Sequence, residues 1–105
     1  MYLVTGKIVR PNTNCSFYTI ADPIVPDSIR EHWKAQYKDT GKCLFVEVTI
    51  SPNELELQTT QCWADQASYN EYQNDQVLTT GLFNVRSVYW ANNGMTGDII
   101  SETTA

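Results

Sequence analysis

Between Cys43 and Ser51, the apolar series Leu44, Val46, Val48 and Ile50 alternates with Phe45, Glu47 and Thr49. A period of two belongs to a strand, because successive side chains leave a strand on opposite faces. Ser51-Pro52-Asn53 then turns the chain. Glu54 to Trp63 runs back with Leu55, Leu57, Thr59, Gln61 and Trp63 on one face. The two runs predict a hairpin. The face of Leu44, Val46, Val48 and Ile50 is expected to be core. The other face carries Phe45 among polar groups and is expected to be partly covered. Gln58 to Gln61 is polar on both faces, which a packed core does not require.

The flanking segments set the architecture. Tyr2 to Arg10 reads as a first strand, with Tyr2, Val4 and Ile8 on one face and Leu3 and Val9 on the other. Apolar groups on both faces predict a central position. Gly6 marks a bulge or a close approach to the sheet. Pro11 to Asn14 is a turn signal. Cys15 to Ala21 reads as an ordered loop folding over the sheet, with a short added strand through Phe17, Tyr18 and Ile20 as the alternative. Pro26 opens a helix. Asp27 complements its dipole, Ile29, Trp33 and Tyr37 form its buried stripe, and Gly41 ends it.

After the hairpin, Asp65 caps a short helix bearing Tyr69 and Tyr72 on one face. Asn74-Asp75 interrupts it. A longer helix is expected from Thr79 or Thr80, with Leu82, Phe83, Val85, Arg86, Tyr89 and Trp90 on its stripe. Asn93-Gly94 closes that helix, and Asp98 to Glu102 supplies a last short strand. This order predicts an α+β fold, a ferredoxin-like βαββαβ sandwich in which an antiparallel sheet carries both helices on one face. One domain spanning residues 1–105 is expected. The other face of the sheet is left bare and needs a cover.

Composition removes several classes of function. Seven Lys and Arg stand against twelve Asp and Glu, for a net charge of −5. The basic residues are scattered, apart from Lys34, Lys38 and Lys42 on one helix edge. Neither nucleic acid nor an anionic lipid surface is an expected partner. No run is long enough to cross a membrane. Met1 to Arg10 lacks the charged start and apolar stretch of a signal peptide, so a cytoplasmic location is expected. Cys15, Cys43 and Cys62 have irregular spacing and only His32 to join them, so no zinc set and no disulfide framework is expected.

The element order resembles the dimeric α+β barrel superfamily, the group that includes antibiotic-biosynthesis-type monooxygenases. So does the run Cys62-Trp63-Ala64-Asp65-Gln66-Ala67-Ser68-Tyr69, where a strand ends in an aromatic, then an acidic cap, a small residue and a helix. The resemblance implies a homodimer with two sheets packed face to face, and an organic substrate between sheet and helices. It transfers no catalytic set. The haem-degrading branch uses an Asn, a Trp and a His late in the chain, whereas the only histidine here, His32, lies in the first helix; the quinol-oxidising branch is likewise unmatched. Ile8-Val9-Arg10-Pro11-Asn12-Thr13 is similar to the openings of some small tailed-bacteriophage proteins.

Four places have chemistry in them. His32 is a candidate general base, against a plain position at the edge of the helix stripe. Trp63, Tyr69, Tyr72, Tyr89 and Trp90 are candidate lining for an organic ligand, against core or dimer packing. Arg86 interrupts an apolar stripe. It either pairs with Glu47, Glu54 or Glu56 or binds an acidic ligand. Glu54 and Glu56 are expected on one face of a strand, as a metal pair or as solvated edge guards; the solvated reading is preferred and no metal is assigned. Phe45, Glu47 and Thr49 mark the expected dimer interface. No cofactor is implied.

The sequence supports two functional readings. One is a homodimeric binding or assembly module that presents a surface or shallow pocket to a protein partner or small organic ligand, without chemistry of its own. The other is a cofactor-independent monooxygenase- or isomerase-like enzyme acting on a small aromatic or lactone-like substrate.

Overall fold

A computed structural model describes residues 1–105. Four strands form one sheet: β1 (Tyr2–Val9), β2 (Cys43–Ile50), β3 (Glu56–Trp63) and β4 (Thr96–Thr104), in the order β2-β3-β1-β4. All three pairings are antiparallel. This is the ferredoxin-like topology, with β1 central as its two apolar faces require. Gly6 sits where the β1–β4 register shifts, at a bulge.

Helix α1 (Asp27–Trp33) follows Pro26 and runs into a π-turn at Lys34–Lys38. Ile29 and Tyr37 are buried on it and Trp33 half-buried. Asp65 caps α2 (Gln66–Gln73) by accepting from the Ser68 N–H at 2.8 Å. The second long helix starts earlier than its apolar pattern suggests. Asp75 caps it, accepting from the Val77 and Leu78 N–H groups at 2.9 and 3.1 Å. From there α3 (Gln76–Leu78), a π-turn at Thr79–Phe83 and α4 (Asn84–Asn92) run on without a break. Gly81 lies in that π-turn under Ile29; a Cβ there would collide with the Ile29 side chain. The rod ends at Gly94 with φ +66°. Val85, expected on the buried stripe, is exposed.

Cys15 to Ala21 forms no strand. It is an ordered loop on the helix side of the sheet, where Cys15 and Phe17 pack on Ile8, Leu57 and Met95. Arg10 fastens it, donating from Nη1 to the Cys15 carbonyl at 2.7 Å and lying 4.0 Å over the Phe17 ring. Tyr18 is held at φ +60°, a conformation that costs an L-residue roughly 1–3 kcal/mol. Its N–H donates to Ser16 Oγ at 2.9 Å, and Ser16 Oγ is bonded in turn to Asp22.

The expected burial of the helix-side face of β2 fails. Val46, Val48 and Ile50 pair with Gln61, Thr59 and Leu57, so they do face the helix side. Yet they are 40%, 51% and 53% exposed. The strand is an edge, and its main helical contact comes from the π-turn of α1, near Cys43. Leu44 falls at a bulge between Cys43 and Phe45 and is also exposed. Only Cys43 of this strand is buried.

Candidate functional site

Phe83, Arg86 and Trp90 stand three and four residues apart, so one helical face presents all three. The Arg86 guanidinium carbon lies 5.5 Å from the Phe83 ring centroid and 4.9 Å from that of Trp90. The side chain is half-buried. The ion pairs of the protein join Lys7 to Glu56, Arg30 to Asp27, His32 to Asp75, Lys34 to Asp39 and Lys42 to Glu71. Arg86 is in none of them. Of the carboxylates expected to pair with it, Glu56 is taken by Lys7. Burial pushes the Arg86 pKa down, while the nearby Tyr72 and Tyr18 phenols oppose that shift. Withdrawing a cation from water without a counterion is costly, and aromatic faces return only part of the loss.

The walls around Arg86 are fixed. Trp90 donates from Nε1 to the Phe17 carbonyl at 3.1 Å. The Tyr89 hydroxyl accepts the Ser16 N–H at 2.7 Å, and the Tyr89 ring packs 4.9 Å from that of Tyr18. Tyr72 lies 5.3 Å from Phe83 and 4.9 Å from Trp63. Burial raises its pKa; the Arg86 charge and a hydrogen bond with the Gln61 side chain work the other way. Gln61 Oε1 accepts from Trp63 Nε1 at 3.1 Å. The cross-strand neighbour of Gln61 is Val46, where the exposed strip Val46, Val48 and Ile50 begins on the same side of the sheet.

A fixed cation on aromatic faces, with phenols beside it, suits a flat molecule carrying a carboxylate, phenolate or enolate.

Of the residues singled out from sequence, Tyr72, Tyr89, Trp90 and Arg86 gather here. Trp63 and Tyr69 are at most 2% exposed and hold the core beneath. Phe83, Gln61 and Tyr18 belong to the site and were not singled out; Phe83 alone carried a signal, being three residues from Arg86. His32 lies apart. Its Nε2 is 2.7 Å from Asp75 Oδ2, a carboxylate that sequence could not assign to it. Glu54 and Glu56 do not share a strand face as expected. Glu54 is in the turn before β3 at φ +62°, and Glu56 is bound to Lys7. Phe45, Glu47 and Thr49 face away from the helices, opposite Cys62, Thr60 and Gln58. A cavity of about 360 Å³ is an open groove on α1 lined by Ile20, Arg30, Trp33 and Lys38 among others. It reaches neither Arg86 nor His32. No helix is long and apolar enough to cross a membrane.

No family model matches the chain, and no curated protein matches it. Solved structures do. SnoaB, a cofactor-independent oxygenase from Streptomyces nogalater, superposes with a TM-score of 0.59 at 8% identity, over 99% of this chain and 91% of that one. A dimeric ferredoxin-like protein from an uncultured marine organism gives 0.57 at 12% identity, over 99% and 94%. An antibiotic biosynthesis monooxygenase gives 0.55 at 13% identity, over 100% and 98%. At these identities the likeness establishes the fold they share.

Proposed function

We propose that this chain is a homodimeric small-molecule-binding protein that holds a flat aromatic anion against Arg86. One observation carries the reading: a half-buried guanidinium rests on Phe83 and Trp90 with no carboxylate of its own chain to neutralise it. Structural arginines in such positions are usually paired. An unpaired one is a cost to the empty protein that a bound anion removes. The twin subunit belongs on the sheet face bearing Phe45, Glu47 and Thr49, since Phe45 is 45% exposed there in a single chain.

The test is calorimetric titration with salicylate and hydroxynaphthoate. Wild-type protein is expected to bind the larger acid more tightly, and Arg86→Met to weaken it by about tenfold or more, the effect of losing a charge-assisted contact of about 1.5–3 kcal/mol. Equal affinity for wild type and Arg86→Met would refute the site.

A second reading is favoured by the shared fold of SnoaB, a cofactor-independent oxygenase. A guanidinium that stabilises an enolate or phenolate also stabilises the electron-rich form that reacts with dioxygen. In that reading Arg86 serves the reaction as well as binding. Oxygen uptake with a reduced polycyclic phenol, lost in Arg86→Met, separates it from binding alone.

A further inference from the structure

The groove on α1 lies apart from the Arg86 site and has chemistry of its own. Its floor is Ile20 and Trp33, both half-buried and packed on the core, with Ala21 beside them. Arg30 ties the helix to the loop that forms the other wall. Its guanidinium donates to the Ile20 and Asp22 carbonyls at 3.1 and 2.8 Å, to the Val25 carbonyl at 2.8 Å and to Asp27 at 2.8 Å. The groove is therefore formed before anything enters it, and its volume of about 360 Å³ lies within the range of small-ligand sites.

Two donors in this groove are unspent. The indole N–H of Trp63 bonds to Gln61 and that of Trp90 to the Phe17 carbonyl. That of Trp33 has no acceptor in the chain. No buried polar side-chain atom is left without a partner, so the Trp33 N–H opens to the surface, and the groove is the cavity that Trp33 lines. The second donor is Lys38, which joins no ion pair. Lys34, one turn before it, reaches Asp39 at 3.3 Å with both side chains more than half exposed, a weak pair that an incoming anion displaces at little cost. The acids that line the groove stand nearer the start of the helix. Asp27 is bonded to Arg30, and Glu31 is free. Charge is thus segregated along an apolar floor, with the two lysines gathered at one end and the acids at the other.

We propose that this groove binds a free medium-chain fatty acid, with its alkyl chain along Ile20, Ala21 and Trp33 and its carboxylate between Lys34 and Lys38. An alkyl chain ended by one negative charge matches an apolar floor ended by two cations. A neutral lipid leaves the lysines unused, and a short acid leaves the floor uncovered. Glu31 repels a second charge at the far end, which selects a monoacid over a diacid. The site is independent of whether Arg86 binds an anion.

The experiment is a magnetic-resonance titration of the intact protein carrying isotope-labelled tryptophan, whose three indole N–H signals are assigned with Trp33→Phe and Trp90→Phe. Decanoate is expected to shift the Trp33 signal saturably and to leave that of buried Trp63 in place. Arg86→Met is expected to give the same Trp33 curve as wild type, which separates this groove from the Arg86 site. The double variant Lys34→Gln with Lys38→Gln, both on the exposed helix edge, is expected to bind decanoate about fivefold more weakly. Decanol and decanedioate are each expected to bind the wild type more weakly than decanoate. A Trp33 signal that decanoate leaves unmoved would overturn the proposal, as would equal affinity for decanol or an unchanged curve in the double lysine variant. A Trp33 shift produced by a peptide of one leucine and four glutamates, but not by decanoate, would overturn it in favour of a protein partner.

Discussion

Trp90 lies so closely against Gly97 that a Cβ on Gly97 would run into the Cζ3, Cη2 and Cε3 atoms of the indole. The glycine is required here by a neighbouring ring and not by backbone conformation. Gly97→Ala is expected to destabilise the fold by about 1–3 kcal/mol, since a rigid indole cannot yield as a flexible side chain would. It should also loosen the platform under Arg86. The urea midpoint checks the first effect and the tryptophan emission spectrum the second. An unchanged midpoint would mean that the indole moves freely.

Asp75 ties α1 to the start of α3 through Tyr37 and His32. Its folded pKa is depressed, so at mildly acidic pH it stays ionised where the unfolded chain has begun to take up protons. Its contribution is complete above about pH 4 and fades as the pH falls through the lower folded value. Wild-type stability is expected to drop below about pH 4, and the drop to be shallower by roughly 1 kcal/mol in Asp75→Asn. Denaturant melts at a series of pH values measure this. Parallel curves would remove Asp75 from the acid response.

The three cysteines are free and buried. Burial pushes the Cys43 thiol up to about 11, so almost no thiolate is present near neutrality. Native protein is expected to resist a disulfide reagent at neutral pH, and unfolded protein to react at all three sites. Rapid native labelling of Cys43 would show that the β2 edge opens readily.

Phe45, Glu47 and Thr49 predict an interface of moderate polarity. Light scattering at micromolar concentration is expected to give twice the chain mass of 11.9 kDa. Phe45→Glu is expected to halve the measured mass without unfolding the chain, because Phe45 packs on no core in a single subunit. A wild-type monomer would remove the twin subunit, and a dimer that Phe45→Glu leaves intact would place it elsewhere.

Patterns confined to a few residues were legible in the sequence. The hairpin alternation, the Asp65 cap, the Gly94 stop and the central place of β1 all arise from neighbours in the chain. The exposure of Val46, Val48 and Ile50 was not legible. Alternation tells which side chains share a face but not whether a helix reaches over it. The start of the second long helix was misplaced because Asn74-Asp75 reads as an interruption, while Asp75 also caps α3. The bond from Asp75 to His32 spans 43 residues and that to Tyr37 spans 38, and no local pattern encodes either. Arg86 was visible as a charge in an apolar stripe. Its lack of a partner is a property of the folded chain, where the ion pairs form between other residues.

That missing partner is tested most directly by thermal unfolding of wild type and Arg86→Met, each with and without hydroxynaphthoate. If Arg86 is held for an external anion, the empty Arg86→Met protein unfolds at the same temperature as wild type or higher, because a costly charge has been removed. The ligand then raises the wild-type midpoint and raises that of Arg86→Met by clearly less. A lower midpoint for the empty variant, or an equal ligand shift in both proteins, would contradict the account.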